Sequence, residues 1–487
     1  MNIEKSFYRR LLDAPTAITF NDVILLPGYT RVEPREVDLR TRVTANHVIN
    51  LPFVSSPMDT VTGAEMAIAL ARLGGVGILH RNCSAEEQLA MARKVKRAES
   101  FIIRDVITIS PDQQVSEAIR IMEDNDIHGL PVVDDRNYLV GIVTWRDVRY
   151  SDPSNLVRDV MTGKDRLVYS HESITIEEAK RLMNEYRVEK LPIVDKDGRL
   201  LGLVTFKDLQ LRGKFPDASR DADGRLLVGA AVSPYDLDRA KMLDRYVDII
   251  VIDVAHFHNE NVISSTRKLM NEVSADVVVG NIGTREAALD IVSRLDGVAG
   301  FRVGIGSGSI CKTGVVTRVA APTLFAVASV ADALASEGLL GKLPIIADGG
   351  IKNSGDIALA LATGASAVMM GNLLAGTRES PGRLVALEGK YYKEYYGMGS
   401  NKARMKRASL DRYSKPSKDV EEGVEGWVPY RGTVKDVVQE LKAGVEAAMG
   451  YVGASNIEEL WYKARFALVS PSGMGEIRPH NIFMIKG

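Results

Sequence analysis

The chain has 487 residues, of which 62 are basic and 63 acidic, leaving a formal charge of −1. Apolar residues make up 45% and charged residues 26%, a balance that excludes collagen-like, disordered and disulfide-stapled chains and suits folded domains with sizeable cores. Near-neutral charge gives no broad attraction for nucleic acid or an anionic membrane, and two cysteines, Cys83 and Cys311, make no disulfide framework. No run of about eighteen uncharged apolar residues marks a membrane span, and Met1–Arg10 carries no secretory apolar region, so the expected setting is the cytoplasm.

In chain order, the first strand candidates are Phe53–Met58 and Gly75–His80. A capping box of Ser84 and Glu87 then opens a helix reaching about Ala98. An internal repeat follows. Gly129-Leu130-Pro131-Val132-Val133 is echoed by Lys190-Leu191-Pro192-Ile193-Val194, and Gly141–Asp147 by Gly202–Asp208, both at an offset of 61 residues. Arg104-Asp105-Val106 likewise recurs as Arg158-Asp159-Val160. Each copy reads as a helix, two strands and a short helix, the second copy with a Thr175/Glu178 capping box. The pair resembles a tandem of cystathionine β-synthase (CBS) domains. That resemblance implies a regulatory adenine or guanine nucleotide held by Thr144 and Asp147 and by Thr205 and Asp208; the alternative is that these residues only cap their helices.

Beyond the repeat, strand candidates resume at Leu226–Val232, Asp248–Val254, Val277–Asn281, Phe301–Ile305, Ile345–Gly350 and Val368–Gly371. With the first two they make eight uniformly apolar, β-branched runs, most followed by a helical pattern. Such strands are buried on both faces and parallel, and eight close a (β/α)₈ barrel; an open doubly wound sheet is the alternative. The expected organisation is therefore an α/β (TIM) barrel interrupted by a CBS pair: barrel residues 1–95, CBS domains at 96–152 and 153–213, and barrel residues 214–487.

Chemistry on a barrel belongs to the loops after the strands' C-terminal ends. Those ends read Ser55–Thr60, Asp253, Gly280-Asn281, Gly304–Cys311, Asp348-Gly349-Gly350 and Met370-Gly371-Asn372. Glycine lets backbone amides approach an anion, so consecutive glycine loops after strands seven and eight predict a nucleotide or sugar-phosphate ligand, with Asp348 placed to accept from ribose hydroxyls. Cys311 follows a Gly-x-Gly-Ser loop whose amides favour a thiolate, and is the candidate nucleophile. Cys83 reads as a buried apolar residue, and His256 and His258, without further ligands, as polar loop residues.

Gly304–Cys311, Asp348-Gly349-Gly350, Met370-Gly371, Tyr395–Ser400 and Glu422–Gly426, with the insert after the second strand, resemble the family of inosine-5′-monophosphate (IMP) dehydrogenases, which also contains the guanosine monophosphate (GMP) reductases. The resemblance implies that Cys311 attacks C2 of the purine, that hydride leaves for NAD⁺, and that the thioimidate is hydrolysed to xanthosine monophosphate (XMP). Thr313 would assist, and Arg412 and Tyr413, on a flap at about 401–420, would activate the water. IMP would be lined by Ser56, Met58, Ser309, Asp348, Gly350, Gly371, Asn372, Tyr395, Gly397, Met398, Gly399 and Glu422. Asp253, Asn281 and Gly304 would face the cofactor, and carbonyls of Gly306, Gly308 and Cys311, with Glu476 of a neighbouring subunit, would hold K⁺. A homotetramer is implied, with an octamer of stacked tetramers as the alternative.

Six features depart from that family's pattern. Lys312 stands where a threonine is usual, Thr317–Thr323 replaces a glycine- and valine-rich stretch, and Gly63, Phe257, Ser307 and Asn372 differ singly. They cluster on the cofactor side, which leaves two rivals to a dehydrogenase: an NADPH-dependent GMP reductase, and a catalytically weak nucleotide-binding regulator.

Overall fold

A computed structural model describes residues 7–99, 101–104, 106–405 and 422–480. The chain divides into two compact units, one of residues 1–96, 217–221 and 226–487, the other of residues 97–216 and 222–225.

The larger unit is built on eight parallel strands: β1 (Phe53–Ser55), β2 (Val76–Leu79), β3 (Val228–Val232), β4 (Ile249–Ile252), β5 (Asp276–Ile282), β6 (Gly300–Val303), β7 (Ile345–Asp348) and β8 (Ala367–Met370). All eight strand candidates are realised. They pair in chain order and the sheet closes, through Val368↔Phe53 between β8 and β1 and Val228↔Gly77 between β2 and β3. The open doubly wound alternative is thereby excluded, and the fold is a (β/α)₈ barrel. Inside it, Val54, Val76, Ile78, Ala231, Val251, Val278, Ile346 and Met369 form one buried cluster. Val43 and Ile49, from a short antiparallel pairing of Thr41–Arg42 with Val48–Ile49, join the same cluster. No helix among the described residues is long and apolar enough to cross a membrane.

The smaller unit lies in sequence between β2 and β3. It repeats one pattern twice: helix Val115–Asp124, strands Gly129–Val133 and Leu139–Thr144 and helix Trp145–Val148, then helix Ile176–Glu185, strands Lys190–Val194 and Leu200–Thr205 and helix Phe206–Lys214. Thr144 gives both its backbone N–H and its hydroxyl to Asp147 Oδ2, at 2.7 Å each. Asp208 N–H donates to Thr205 Oγ1 at 3.2 Å, and the Thr205 hydroxyl meets Asp208 Oδ2. Both Thr-x-x-Asp pairs therefore cap their own helices.

In the larger unit, the points where the chain leaves and returns are pinned by one buried cation. Lys96 Nζ lies 2.8 Å from Asp221 Oδ2, 2.7 Å from Asp248 Oδ2 and 3.1 Å from the Leu226 carbonyl. A second polar clasp fixes the hairpin to the start of β5. Asp276 accepts from the Thr44 hydroxyl, from Asn46 Nδ2 at 2.7 Å and from His47 Nδ1 at 3.0 Å. Burial alone would raise the Asp276 carboxyl, but these donors hold it down to about 2, and the same hydrogen bond raises His47.

The clasp predicts a pH-dependent stability. Folded His47 binds its proton more tightly than the unfolded side chain, so its contribution is complete below about pH 6.5 and is lost as pH rises through the folded value. The Asp276 contribution is complete above about 3.8 and fades as pH falls toward about 2. His47→Ala should cost roughly 1 kcal/mol near pH 6 and clearly less near pH 8.5 by thermal or denaturant unfolding. An equal loss at both pH values would show that the charged pair contributes nothing.

Candidate active site

The C-terminal rim of the barrel opens into a cavity of about 410 Å³, within the usual range for a small-molecule site. Ser56 and Met58 reach it from the loop after β1, Asn281 from β5, Arg302 and Gly304 from β6 and its end, Asp348 and Gly350 from β7, and Gly371 and Asn372 from the loop after β8. Ser309, Cys311 and Thr313 come from the segment after β6; Tyr395, Gly397, Met398 and Gly399 from strand Lys390–Tyr396 and the turn beyond it; and Glu422 closes the wall. Each residue expected to touch the nucleotide thus lines one cavity, together with Gly306 and Gly308.

Cys311 sits where two distant segments are zipped together. Ile310 O accepts from Val424 N–H at 3.0 Å, Glu422 O from Lys312 N–H at 2.8 Å, and Val424 O from Gly397 N–H at 3.0 Å. Cys311 N–H donates to Gly308 O at 3.0 Å, so the loop before the thiol is itself a closed turn. Cys311 Sγ donates to Thr313 Oγ1 at 3.2 Å, and the Thr313 hydroxyl donates to Glu422 Oε2 at 2.8 Å. Thiol, hydroxyl and carboxylate form a relay on the cavity wall. Cys83 differs: burial pushes its thiol up to about 11, and its Sγ faces the His80 carbonyl at 3.7 Å.

The floor of the cavity is electrostatic. Arg302 Nε donates to Asp348 Oδ2 at 2.8 Å and its Nη1 to Asp253 Oδ1 at 2.8 Å, and Arg81 Nη2 donates to the Asp253 carbonyl at 3.1 Å. Burial alone would lower the Arg302 pKa; the adjacent carboxylates of Asp348 and Asp253 reverse that and raise it. Asn281 Nδ2 donates to Asp348 Oδ2 at 2.9 Å and to Gly304 O at 2.7 Å. Asn281 lines the cavity, and its Oδ1 is buried with no hydrogen-bond partner among the described residues. Asp253 is wholly buried beneath the wall and does not line the cavity.

Two glycines are required by geometry. Gly304 has φ +130°, and a Cβ there would lie 2.3 Å from the Asp348 carbonyl oxygen. A Cβ on Gly371 would lie 2.9 Å from the Tyr395 hydroxyl and 3.5 Å from Met58 Sδ. Tyr395 itself is buried, which pushes its phenol up to about 12, and it hydrogen-bonds with Ser309.

The departures from the family pattern resolve individually. Lys312 does not line the cavity; it is the residue immediately before the short helix Thr313–Thr317, and its N–H donates to Glu422 O. Phe257 is fully buried and its N–H donates to Asn281 O at 2.9 Å, so the ring belongs to the core. Gly63 caps helix Ala64–Arg72, and a Cβ there would meet Pro381 Cγ at 3.1 Å. Thr317–Thr323 folds back, with Ala321 and Ile305 exchanging two backbone hydrogen bonds and the Thr323 hydroxyl donating to Asp348 O at 2.9 Å. Ser307 and Asn372 remain on the cavity wall.

His258 pairs with Asp290 at 3.0 Å, and among the described residues no three metal-ligating side chains gather. Glu476 is exposed at the end of helix Pro471–Glu476 and does not line the cavity. Arg412 and Tyr413 lie outside the described residues.

A family profile described as the IMP dehydrogenase / GMP reductase domain matches residues 17–480. The chain belongs to the IMP dehydrogenase / GMP reductase family. It is 58% identical to an inosine-5′-monophosphate dehydrogenase of Korarchaeum cryptofilum over 96% of this chain and 97% of that protein. It is 49% identical to one from Methanocaldococcus jannaschii, with 98% of each covered. Among solved structures it resembles a cysteine-to-alanine variant of the Trypanosoma brucei GMP reductase in complex with guanosine 5′-monophosphate, with TM-score 0.88 and 38% identity over 97% of this chain and all of that one.

Against this family frame, sequence reasoning missed Arg302, Arg81 and Lys352. The signal for Arg302 was present as a lone charge inside an apolar strand, next to a strand that ends in Asp348. Lys352, after Asp348-Gly349-Gly350, adds a cation to the cavity wall. Because Gly304 needs both a left-handed backbone and contact with the Asp348 carbonyl, Gly304→Ala should cost at least about 2 kcal/mol and should also weaken nucleotide binding. Unfolding curves and a nucleotide titration check both; wild-type values would show that the loop accommodates the methyl group.

Proposed function

We propose that the protein is an IMP dehydrogenase: it oxidises IMP to XMP, with Cys311 as nucleophile and NAD⁺ as hydride acceptor. The observation that carries this is the Cys311–Thr313–Glu422 relay on the wall of a cavity lined by glycine loops. Identities of 58% and 49% to curated IMP dehydrogenases support the dehydrogenase over the reductase.

The nucleotide would lie with its phosphate against amides of Ser309, Gly350, Gly371 and Asn372, its ribose hydroxyls on Asp348, and its purine edge toward Glu422 and Met398. Amide donors stabilise the dianion without a basic patch. The Cys311 sulfur, as thiolate, adds to purine C2; Thr313 and Glu422 accept the thiol proton along the relay. NAD⁺, when bound on the Asn281 side, would supply the acceptor for the hydride that leaves C2. The resulting thioimidate then adds water at C2, and the C2–S bond breaks to release XMP and the thiol. Arg412 and Tyr413 are proposed to activate that water, with Thr313 and Glu422 as a second hydrogen-bonded route for its proton. The orphan acceptor Asn281 Oδ1 suits the amide N–H of a nicotinamide carboxamide, so the residues present fit the cofactor. Asp253 serves that side from beneath, through Arg302. Gly306, Gly308 and Cys311 offer neutral carbonyls suited to K⁺, with Glu476 from a neighbouring subunit of a homotetramer; bound there, the ion would order the nucleophile loop.

The smaller unit is proposed to be a CBS pair that binds an adenine or guanine nucleotide at Thr144/Asp147 and Thr205/Asp208, and the protein to work in the cytoplasm. GMP reductase is the second reading, favoured by the structural likeness to the trypanosomal enzyme.

Absorbance at 340 nm separates the readings. IMP with NAD⁺ should produce NADH, and Cys311→Ala should lower the rate by roughly a thousandfold or more. NADPH consumption with GMP would establish the reductase, and silence in both assays the regulator. Arg412→Ala should release a first equivalent of NADH and then accumulate a covalent nucleotide adduct visible by intact mass. A wild-type steady rate without adduct would remove Arg412 from the hydrolytic step.

A further inference from the structure

Asp348 is held in an unequal way. Its Oδ2 accepts from two buried donors, Arg302 Nε at 2.8 Å and Asn281 Nδ2 at 2.9 Å, whereas its Oδ1 makes no hydrogen bond to a described residue. Asp348 lines the cavity and its side chain is 16% exposed, so Oδ1 is the oxygen left for a ligand. Two donors on one carboxylate oxygen fix the carboxylate plane, which a single rotatable contact would not do.

Arg302 is fixed in turn. Its fork spans two carboxylates, Asp348 and Asp253, and Asp253 also carries Arg81, whose Nε lies 3.4 Å from Asp253 Oδ2. Arg81, Asp253 and Arg302 are each at least 97% buried. Four alternating charges from four barrel loops and strands therefore cancel while leaving one oriented oxygen. Packing alone does not demand this arrangement, since buried charges are costly and apolar side chains would fill the layer as well. Only an acceptor that must point one way explains the cost.

We propose that Arg302, locked by Asp253, is a positioning residue that makes the cavity select ribonucleotides over 2′-deoxyribonucleotides, by presenting Asp348 Oδ1 to the sugar hydroxyls. The proposal rests on the reading of the cavity as a nucleotide site and adds a selectivity and its cause. A hydroxyl donating to a carboxylate strengthens binding by about tenfold to a hundredfold, and that gain exists only while the acceptor is oriented. Lysine keeps the charge of Arg302 but cannot span both carboxylates as a planar fork.

The test is calorimetric titration of the full chain, without NAD⁺, with IMP and with 2′-deoxy-IMP. Wild type should prefer IMP by about tenfold or more. Arg302→Lys should reduce the preference to under about threefold, chiefly by weakening IMP, while 2′-deoxy-IMP binds nearly as before. Asp253→Asn is nearly isosteric, covers the case in which the lysine variant fails to fold, and should lower the preference in the same direction by a smaller factor. Equal weakening of both ligands, or an unchanged ratio in the variants, would make Arg302 merely structural and overturn the proposal. Binding of IMP without preference in wild type would overturn the selectivity while leaving the nucleotide site intact. No binding of either nucleotide to wild type would overturn the underlying reading and this inference together.

Discussion

A parallel sheet of short apolar strands has to satisfy its two edges, and here it does so by closing on itself. The pairings Val368↔Phe53 and Val228↔Gly77 remove both edges, so every strand is hydrogen-bonded on each side and buried on each face. Everything functional depends on that closure. Once the strands run parallel round a ring, their C-terminal ends meet on one rim, and residues as far apart in sequence as Ser56, Cys311 and Glu422 line one cavity. The seam between β2 and β3 also explains why a whole unit can be inserted there: the pairing does not depend on how long the connecting chain is, provided its ends are pinned, and Lys96 with Asp221 and Asp248 pins them.

The electrostatics of the site follow from its burial. A chain of net charge −1 offers a phosphate no broad positive field; the cavity wall carries backbone amides on glycine loops and one cation, Lys352. Below the rim, Arg81, Asp253, Arg302 and Asp348 alternate in sign, so each buried charge has its opposite within hydrogen-bond reach. The candidate nucleophile is arranged differently. Among the described residues Cys311 has no cationic hydrogen-bond partner; it leans on a neutral hydroxyl, Thr313, which leans on Glu422. Such a relay moves a proton without placing a fixed charge against the sulfur.

Several residues that looked like liabilities in the sequence acquire ordinary structural reasons. Phe257 fills core space, Lys312 ties its backbone N–H to Glu422 O, and Gly63 leaves room for Pro381. None of them narrows the cavity, which keeps all twelve of the residues expected to line it. A substitution in a loop next to a site changes chemistry only if its side chain faces the site, and facing is a property of the backbone path.

The one-dimensional pattern determined a good deal. Eight β-branched runs, each buried on both faces, required a parallel sheet, and the repeat at an offset of 61 residues required a duplicated module between the second and third runs. Glycines after the sixth, seventh and eighth strands marked the loops that line the cavity; Gly304 at φ +130° is the clear case of a turn that needs a residue without Cβ. What tertiary structure alone decided is partnership. The family resemblance implied that Asp253 faces the cofactor; the structure adds that its buried carboxylate is shared by Arg302 and Arg81, a partnership no local pattern encodes. Thr313 was legible as a neighbour of the thiol, whereas its bond to Glu422 joins residues 109 positions apart. Periodicity and local chemistry are short-range and survive in a string of letters; which buried charge meets which across a barrel depends on strand register and side-chain direction, and these exist only once the ring has closed.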